Sequence, residues 1–226
     1  MSEFLAKIMP NVLKTQTVLW NGILETLQMV GISGLISAGF GIVFGVILVV
    51  TQKDSILECN IVYQVLDKLI NVFRSIPFVI LVAMLLPVTR ALVGTSIGTK
   101  GAIFPLVVAT VPFFSRQIHS ALCEIDPGVV EAAQSMGSSP LEIILRVYLR
   151  EGLPGMIRGA TITLINLITL TAIAGCVGAG GLGSYAIMYG FNRSQTDVTY
   201  VTVIIILALV TIIQSLGNRI TEKLSH

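Results

Sequence analysis

The chain has 226 residues, of which 54% are hydrophobic and only 12% are charged, and its formal net charge is +2. A soluble domain carries about 25% charged residues because its surface faces water, so this composition indicates an integral membrane protein. The small net charge and the lack of a basic stripe with interleaved aromatic residues exclude a nucleic-acid-binding protein.

Five stretches of the sequence are long and apolar enough to cross a bilayer, which requires about 20 mostly apolar residues. They lie at roughly 21–50, 69–93, 101–122, 159–178 and 198–218. We therefore predict an all-α integral membrane protein with about five transmembrane helices, forming a single domain over residues 1–226. Glu25 lies near one end of the first span, and we interpret it as an interfacial residue.

Lysine and arginine residues are unevenly distributed between the two sides of these spans. The 51–74 connection, the 116–158 segment and the C-terminal tail carry nine of them, whereas the opposite side carries five. Because positive residues concentrate on the cytoplasmic side, we expect the N-terminus outside and the C-terminus in the cytoplasm. The polar loop 123–158 is then cytoplasmic.

Cysteine and histidine residues give no indication of a metal site. Cys59, Cys123 and Cys176 are scattered, and His119 and His226 follow no ligand spacing. We interpret the cysteines as small apolar packing residues and predict no catalytic residue, no metal and no cofactor.

Glycines in the sequence fall in two notable patterns. Gly178, Gly180 and Gly183 match G-x-G-x-x-G, but that fingerprint requires a βαβ unit, and here its flanks are membrane sequence. We interpret it as a sharp turn or a close packing site. In the first span, small residues recur every four positions and allow another helix to approach closely, either within the subunit or across a dimer: Ser33, Ser37, Gly41 and Gly45.

The polar loop is predicted to contain two short helices. Asp126-Pro127 is a typical helix start, and Gly137 is the usual left-handed residue after a helix end. Ser139 and Glu142 then form a capping-box pattern for a second helix. On the second helix, the predicted apolar face consists of Leu141, Ile144, Leu145 and Tyr148.

The first of these helices is expected to present a nearly flat face, because Ala132 and Ala133 are small. Val129, Val130 and Met136 flank that face. Such a surface suits insertion into a groove of another protein. On the residues alone, a lid over the cytoplasmic ends of the spans is an equal alternative.

The stretch "EAAQSMG", followed after nine residues by "VYL", resembles the E-A-A-x3-G-x9-I-x-L-P loop of permease subunits of bacterial ABC importers. The matching residues are Glu131, Ala132, Ala133, Gly137, Val147 and Leu149. Arg150 stands where that family usually has proline, and Pro154 follows four residues later. This departure affects the expected geometry at the end of the second helix.

Other stretches are similar to permeases of methionine importers: "RSIPFVIL", "VGTSIGT", "VPFFSRQIHSAL", "GAGGLG", "QTDV" and "IQSLGNRI". Many of these relatives read roughly Gly-Tyr-Ser-Ala-Met in the fourth span, where this chain has residues 169–173, "TLTAI". If that region lines the pathway, cargo preference within the subgroup differs.

The resemblance implies a multi-pass subunit of a bacterial cytoplasmic (inner) membrane importer of an amino acid, with methionine as the expected cargo. It also implies a second copy of the chain, a cytoplasmic dimer of ATP-binding subunits and an extracytoplasmic substrate-binding protein. The chain has no P-loop, so we expect a partner subunit to hydrolyse ATP, and this chain to be no enzyme by itself. The residues expected to couple to the ATPase are Glu131, Ala132, Ala133, Met136, Gly137, Val147 and Leu149.

Polar residues of the fourth span are candidates for lining a transport pathway. They are Asn166, Thr169 and Thr171. The alternative for the threonines is a hydrogen bond to the backbone of their own helix, which is the commoner use in such helices.

Three rival functions follow from the same sequence. An ATPase-independent secondary transporter is expected to carry buried carboxylates or an internal repeat, and the sequence shows neither. A membrane enzyme is expected to carry a pattern such as H-E-x-x-H or G-x-S-x-G, which is also absent. An ABC importer of a different amino acid or small molecule remains the open alternative.

Overall fold

The computed structural model describes residues 9–224, and over that range every regular element is helical. His226 lies outside the described residues. The α-helices in chain order are α1 (Pro10–Lys14), α2 (Gln16–Thr51), α3 (Asn60–Ser75), α4 (Phe78–Val93), α5 (Gly98–Cys123), α6 (Pro127–Ser135), α7 (Pro140–Ile143), α8 (Leu149–Glu151), α9 (Leu153–Cys176), α10 (Gly181–Tyr185) and α11 (Thr196–Leu224). Two π-helical stretches, Ile144–Tyr148 and Ala186–Phe191, continue α7 and α10. The predicted all-α class is confirmed.

Four helices in the described part of the chain are long and apolar enough to cross a membrane, namely α2, α5, α9 and α11. The pair α3 and α4 gives a fifth crossing if it counts as one bent span. This count agrees with the five predicted spans. Large apolar side chains such as Trp20 (64% exposed) and Leu35 (78% exposed) lie on the surface of α2, as expected for a helix that faces lipid.

The second predicted span, 69–93, is wrong in one respect: it is not a single helix. The chain is extended at Ile76 and Pro77, with ψ angles of 122° and 133°. The Pro77 ring disfavours the helical conformation of the preceding residue, and proline cannot donate a backbone hydrogen bond. The helix therefore ends at Ser75, and α4 begins at Phe78.

The chain divides into two compact units, each assembled from separate segments. Unit 1 contains the residues up to Leu35, Pro77–Val107 and Leu164–Ile213. Unit 2 contains Ile36–Ile76, Val108–Thr163 and the residues from Gln214 onward. The polar loop thus belongs to unit 2, and the glycine cluster belongs to unit 1.

The core of unit 2 joins the ends of α2 and α5 to the polar loop. Its buried members include Val49, Phe114, Ile118, Leu122, Val130, Ala133, Ile143, Tyr148 and Met156. A Cβ atom on Gly41 would lie 2.5 Å from a ring carbon of Phe114, and one on Gly45 would lie 2.5 Å from the Cβ of Ile118. These two small residues therefore allow α2 and α5 to pack closely within one subunit, as one of the two predicted alternatives states.

In unit 1 the glycine cluster forms a tight turn against α2. Gly178, Gly180 and Gly181 all have positive φ angles, between 75° and 93°, which glycine adopts without steric cost. The carboxylate of Glu25 accepts a hydrogen bond from Gly181 N at 2.6 Å, and Thr26 Oγ1 accepts one from Leu182 N at 2.9 Å. The interpretation as a turn is confirmed, and Glu25 has a structural partner that the sequence did not indicate.

We expect Gly45→Ala to destabilise the protein by about 1–3 kcal/mol, because the added methyl group overpacks the contact with Ile118. Gly39→Ala on the same helix is the matched control, since a Cβ there meets no atom within 4 Å. Thermal unfolding of both variants in detergent measures the difference. Equal melting temperatures for the two variants would contradict this packing account.

Candidate functional site

The first helix of the polar loop, α6, begins and ends as predicted. The side chain of Asp126 accepts a hydrogen bond from Gly128 N at 2.8 Å, and Pro127 occupies the first turn. After the helix, Gly137 has φ +80°, its N–H donates to Gln134 O at 2.9 Å, and Ser138 N donates to Ala133 O at 3.1 Å. This pair of bonds is the Schellman ending of a helix, which satisfies carbonyl groups that would otherwise lack partners.

The second helical segment, residues 140–151, starts with the predicted capping box. Ser139 Oγ accepts from Glu142 N at 3.4 Å, and the Glu142 carboxylate accepts from Ser139 N at 2.9 Å. The hydrogen bond from the Ser139 backbone N–H lowers the pKa of Glu142 from its usual value, and the Ser139 hydroxyl contributes in the same direction. The Schellman ending of α6 and the capping box of Ser139 and Glu142 therefore fix the backbone on both sides of Gly137.

The predicted apolar face of this second segment is right for two of its four residues, since Tyr148 is buried and Ile144 packs against the core of unit 2, and wrong for the two leucines. Ile143 (1% exposed) and Tyr148 are buried, whereas Leu141 and Leu145 are 65% and 55% exposed. The π-helical stretch Ile144–Tyr148 shifts the angular register of Leu145 and the residues after it relative to the α-helix assumed in the prediction, whereas Leu141 and Ile143 precede that stretch. The segment consequently presents two leucines on its surface.

The residues expected to couple to an ATPase separate into two groups. Glu131, Ala132, Met136 (79% exposed) and Gly137 lie on the surface. Ala133 is buried, and Val147 and Leu149 pack partly buried against the core of unit 2. The predicted flat face of two alanines is therefore wrong, since Ala133 and the neighbouring Val130 point into this chain's own core.

A polar cleft of about 180 Å³ lies beside α6 within unit 2. We call it the α6 cleft; its lining residues are Gln52, Asp54, Ser55, Ile56, Pro127, Val130, Glu131, Gln134 and Tyr148. Asp54 has a positive φ of 60°, which is uncommon for a residue other than glycine and occurs often at functional sites. No local pattern in the sequence predicts that the connection after α2 lines the same cleft as Glu131.

The three candidate pathway residues on α9 do not share one environment. Asn166 is half-buried and makes no side-chain hydrogen bond to another described residue, and Thr169, three positions later on the same face, is exposed. Thr171 is 1% exposed and donates to Ile168 O at 2.7 Å. Thr169 Oγ1 also donates to Ile165 O, at 3.5 Å, so both threonines make the predicted alternative bond to their own helix. Of the three residues, Asn166 and Thr169 are the ones with accessible surface.

Comparison with known proteins identifies the family. Residues 41–226, which contain α6 and its corner, match the family described as binding-protein-dependent transport system inner membrane component. The chain belongs to this family. It is therefore a multi-pass inner-membrane subunit of a transport system, and the resemblance found in the sequence is confirmed.

Individual relatives of this inner-membrane component cover nearly its whole length. The probable D-methionine transport system permease protein of Vibrio cholerae serotype O1 is 46% identical over 202 residues, which is 89% of this chain and 90% of that protein. The methionine import system permease protein of Bacillus subtilis strain 168 is 44% identical over 216 residues, 96% of each chain. A chain of the MetNI methionine ABC transporter, solved in an inward-facing conformation, has a TM-score of 0.92 at 40% identity, covering 94% of this chain and 99% of that one.

We expect the capping box to stabilise the segment 140–151 in a pH-dependent way. Because the folded-state pKa of Glu142 is lowered, its contribution is present above the unfolded value of about 4.3 and is lost as the pH falls through the folded value. Hydrogen exchange of this segment should show more protection in the wild type than in Glu142→Gln at neutral pH, and no difference in acid. In a Ser139→Ala background the Glu142→Gln effect should largely vanish; a full effect there would contradict the capping box.

Proposed function

We propose that this chain is the transmembrane subunit of an ATP-driven importer of methionine, with ATP hydrolysis carried out by partner subunits. The observation that carries the proposal is the similarity along nearly the whole chain to permeases named for methionine transport, together with the TM-score of 0.92 to the methionine ABC transporter chain. The partners proposed for this chain are a second copy, a pair of cytoplasmic ATP-binding subunits and an extracytoplasmic substrate-binding protein.

We propose that α6 is the element that receives the movement of the ATP-binding subunits. Its exposed side, with Glu131 and Met136, is available to a groove on a partner. Its inner side, with Val130 and Ala133, is buried in the core of unit 2 together with residues of α2 and α5. A displacement of α6 is then passed to the spans, because the buried core is close-packed and resists compression.

The corner at Gly137 keeps the angle between α6 and the second segment fixed. Both of its hydrogen bonds and its positive φ restrict rotation there. Closure of the ATP-binding subunits can therefore shift the permease between an outward-open and an inward-open state by moving one rigid unit. ATP binding favours one of two existing states, since a ligand shifts an equilibrium only by its differential affinity for them.

We propose that Asn166 and Thr169 contribute to the transport pathway. Asn166 offers a donor and an acceptor that no described residue engages, and Thr169 is exposed on the same face of α9. A different small cargo is the second candidate, favoured by the departure of residues 169–173 from the usual methionine-permease pattern.

Reconstituted vesicles test the function directly. We expect the chain, combined with its ATP-binding subunits and its binding protein, to accumulate labelled methionine only when ATP is present. Excess unlabelled D- or L-methionine should compete, and other amino acids should not. Uptake that does not need ATP would contradict the assignment to an ATP-driven importer, and ATP-dependent uptake of another cargo would contradict methionine as the substrate.

In the same vesicles we expect Gly137→Pro and Glu131→Lys to abolish uptake while the protein remains inserted in the membrane. Proline cannot adopt the φ of +80° and removes the N–H that bonds Gln134 O. Lysine reverses the charge at an exposed position facing the proposed partner. Gly39→Ala, which meets no neighbouring atom, is the control for general effects of glycine replacement; ATP-dependent uptake at the wild-type rate in either of the first two variants would contradict the role of α6.

A further inference from the structure

We propose that Gln52, His119 and Cys123 form a binding site for a thiophilic divalent metal ion of the zinc class. The three side chains converge at the ends of α2 and α5 in unit 2, beside the α6 cleft. This site was not predictable from the sequence, because only His119 and Cys123 are close in the chain and Gln52 is 67 residues away from His119.

The distances between the three donor atoms match those of a tetrahedral metal site. His119 Nε2 lies 3.2 Å from Gln52 Oε1 and 3.5 Å from Cys123 Sγ, and Cys123 Sγ lies 3.6 Å from Gln52 Oε1. Zinc bonds of about 2.3 Å to sulfur and 2.0–2.2 Å to nitrogen or oxygen, at tetrahedral angles, place such donors about 3.4–3.6 Å apart. The triangle therefore needs adjustments of only tenths of an ångström and leaves a fourth position open.

The ends of α2 and α5 position the three donors. His119 and Cys123 are four residues apart on α5, so they lie on one face of the helix. Gln52 directly follows α2, and its backbone N–H donates to Leu48 O at 3.1 Å. Cys123 is also the last residue of α5, where the helix dipole favours a cation.

The charges around the site are compatible with a divalent cation. Arg116 lies one turn before His119 on α5, but its guanidinium is paired with Asp67 and also donates to Asn71 Oδ1 at 3.2 Å. The Arg116–Asp67 pair is neutral as a whole. Cys123 is exposed, so its thiol proton can pass to solvent when the sulfur binds the ion as thiolate.

The donor set selects the class of ion. Thiolate and imidazole together favour zinc, cadmium or copper over calcium or magnesium, which prefer oxygen ligands. The remaining cysteines, Cys59 and Cys176, are also exposed, but the structure records no contact between either of them and a histidine of the described chain. Cys59 and Cys176 are therefore matched controls, because each is an exposed thiol that lies outside the proposed metal site.

Metal binding should also affect transport, a consequence that rests on the function proposed above. Gln52 lines the α6 cleft together with Glu131. An ion that ties the Gln52 amide to α5 restrains one wall of that cleft, so we expect zinc to inhibit uptake reversibly, with activity restored by a chelator.

Titration of the purified transporter with Cd²⁺ and Zn²⁺ tests the site independently of the cargo. We expect one ion per copy of this chain, with a cadmium–thiolate charge-transfer band in the ultraviolet. Cys123→Ser should abolish the band, and His119→Ala should weaken binding at least about tenfold. Gln52→Glu should tighten binding, because it replaces a neutral ligand with a carboxylate and leaves the shape unchanged.

Cys59→Ser and Cys176→Ser should bind cadmium as the wild type does. The metal site would be overturned if the cadmium–thiolate band survives Cys123→Ser, or if His119→Ala and Gln52→Glu leave the affinity for cadmium unaltered. The three side chains would then form only a hydrogen-bonded cluster. Zinc inhibition of uptake that persists in Cys123→Ser would overturn the link to transport. The two proposals can fail separately. If the complex binds the metal with the expected variant pattern but does not import methionine, the proposed cargo is contradicted and the metal site is not.

Discussion

The burial of the inner face of α6 in the core of unit 2 is the constraint on which the other features depend. Val130 and Ala133 share that core with Val49 of α2 and with Ile118 of α5. Burial of a valine or isoleucine side chain contributes roughly 1.5–3 kcal/mol, so Val130 and its neighbours in this core attach the polar loop to the ends of α2 and α5. A loop held only by its ends would absorb a displacement imposed by a partner, whereas we propose that α6 transmits it to the spans.

Two different requirements shape the rest of the molecule. Lipid requires long helices whose backbone groups are satisfied internally, and α2, α5, α9 and α11 meet that requirement. Close contact between these helices requires small residues, as Gly41 and Gly45 show against α5. The polar loop and the glycine turn near Glu25 interrupt the long helices, and both are stabilised by specific hydrogen bonds.

Features that depend on neighbouring residues were predictable from the sequence. The caps at Asp126 and Ser139 and the left-handed Gly137 each need only a few adjacent residues, and all three are confirmed. The break in the second span also had a local signal, the Ile76-Pro77 dipeptide. The prediction of one span over 69–93 relied on the length of the apolar stretch and did not use that signal.

Features that depend on tertiary packing were not predictable in the same way. The burial of Ala133 follows from the core it meets, and no local pattern in the sequence predicts the π-helical stretch Ile144–Tyr148. The α6 cleft and the Gln52–His119–Cys123 cluster join residues far apart in the chain. A single sequence contains no periodicity that reports such pairs.

We propose that the buried face of α6 couples ATP hydrolysis to transport, and the number of methionine molecules imported per ATP hydrolysed measures this coupling. Val130→Ala removes two methyl groups from the buried face, while Val129→Ala makes the same change at a position that is 43% exposed. We predict that Val130→Ala lowers this ratio several-fold while ATP hydrolysis continues, and that Val129→Ala leaves the ratio closer to the wild-type value. Equal ratios in the two variants would contradict the account.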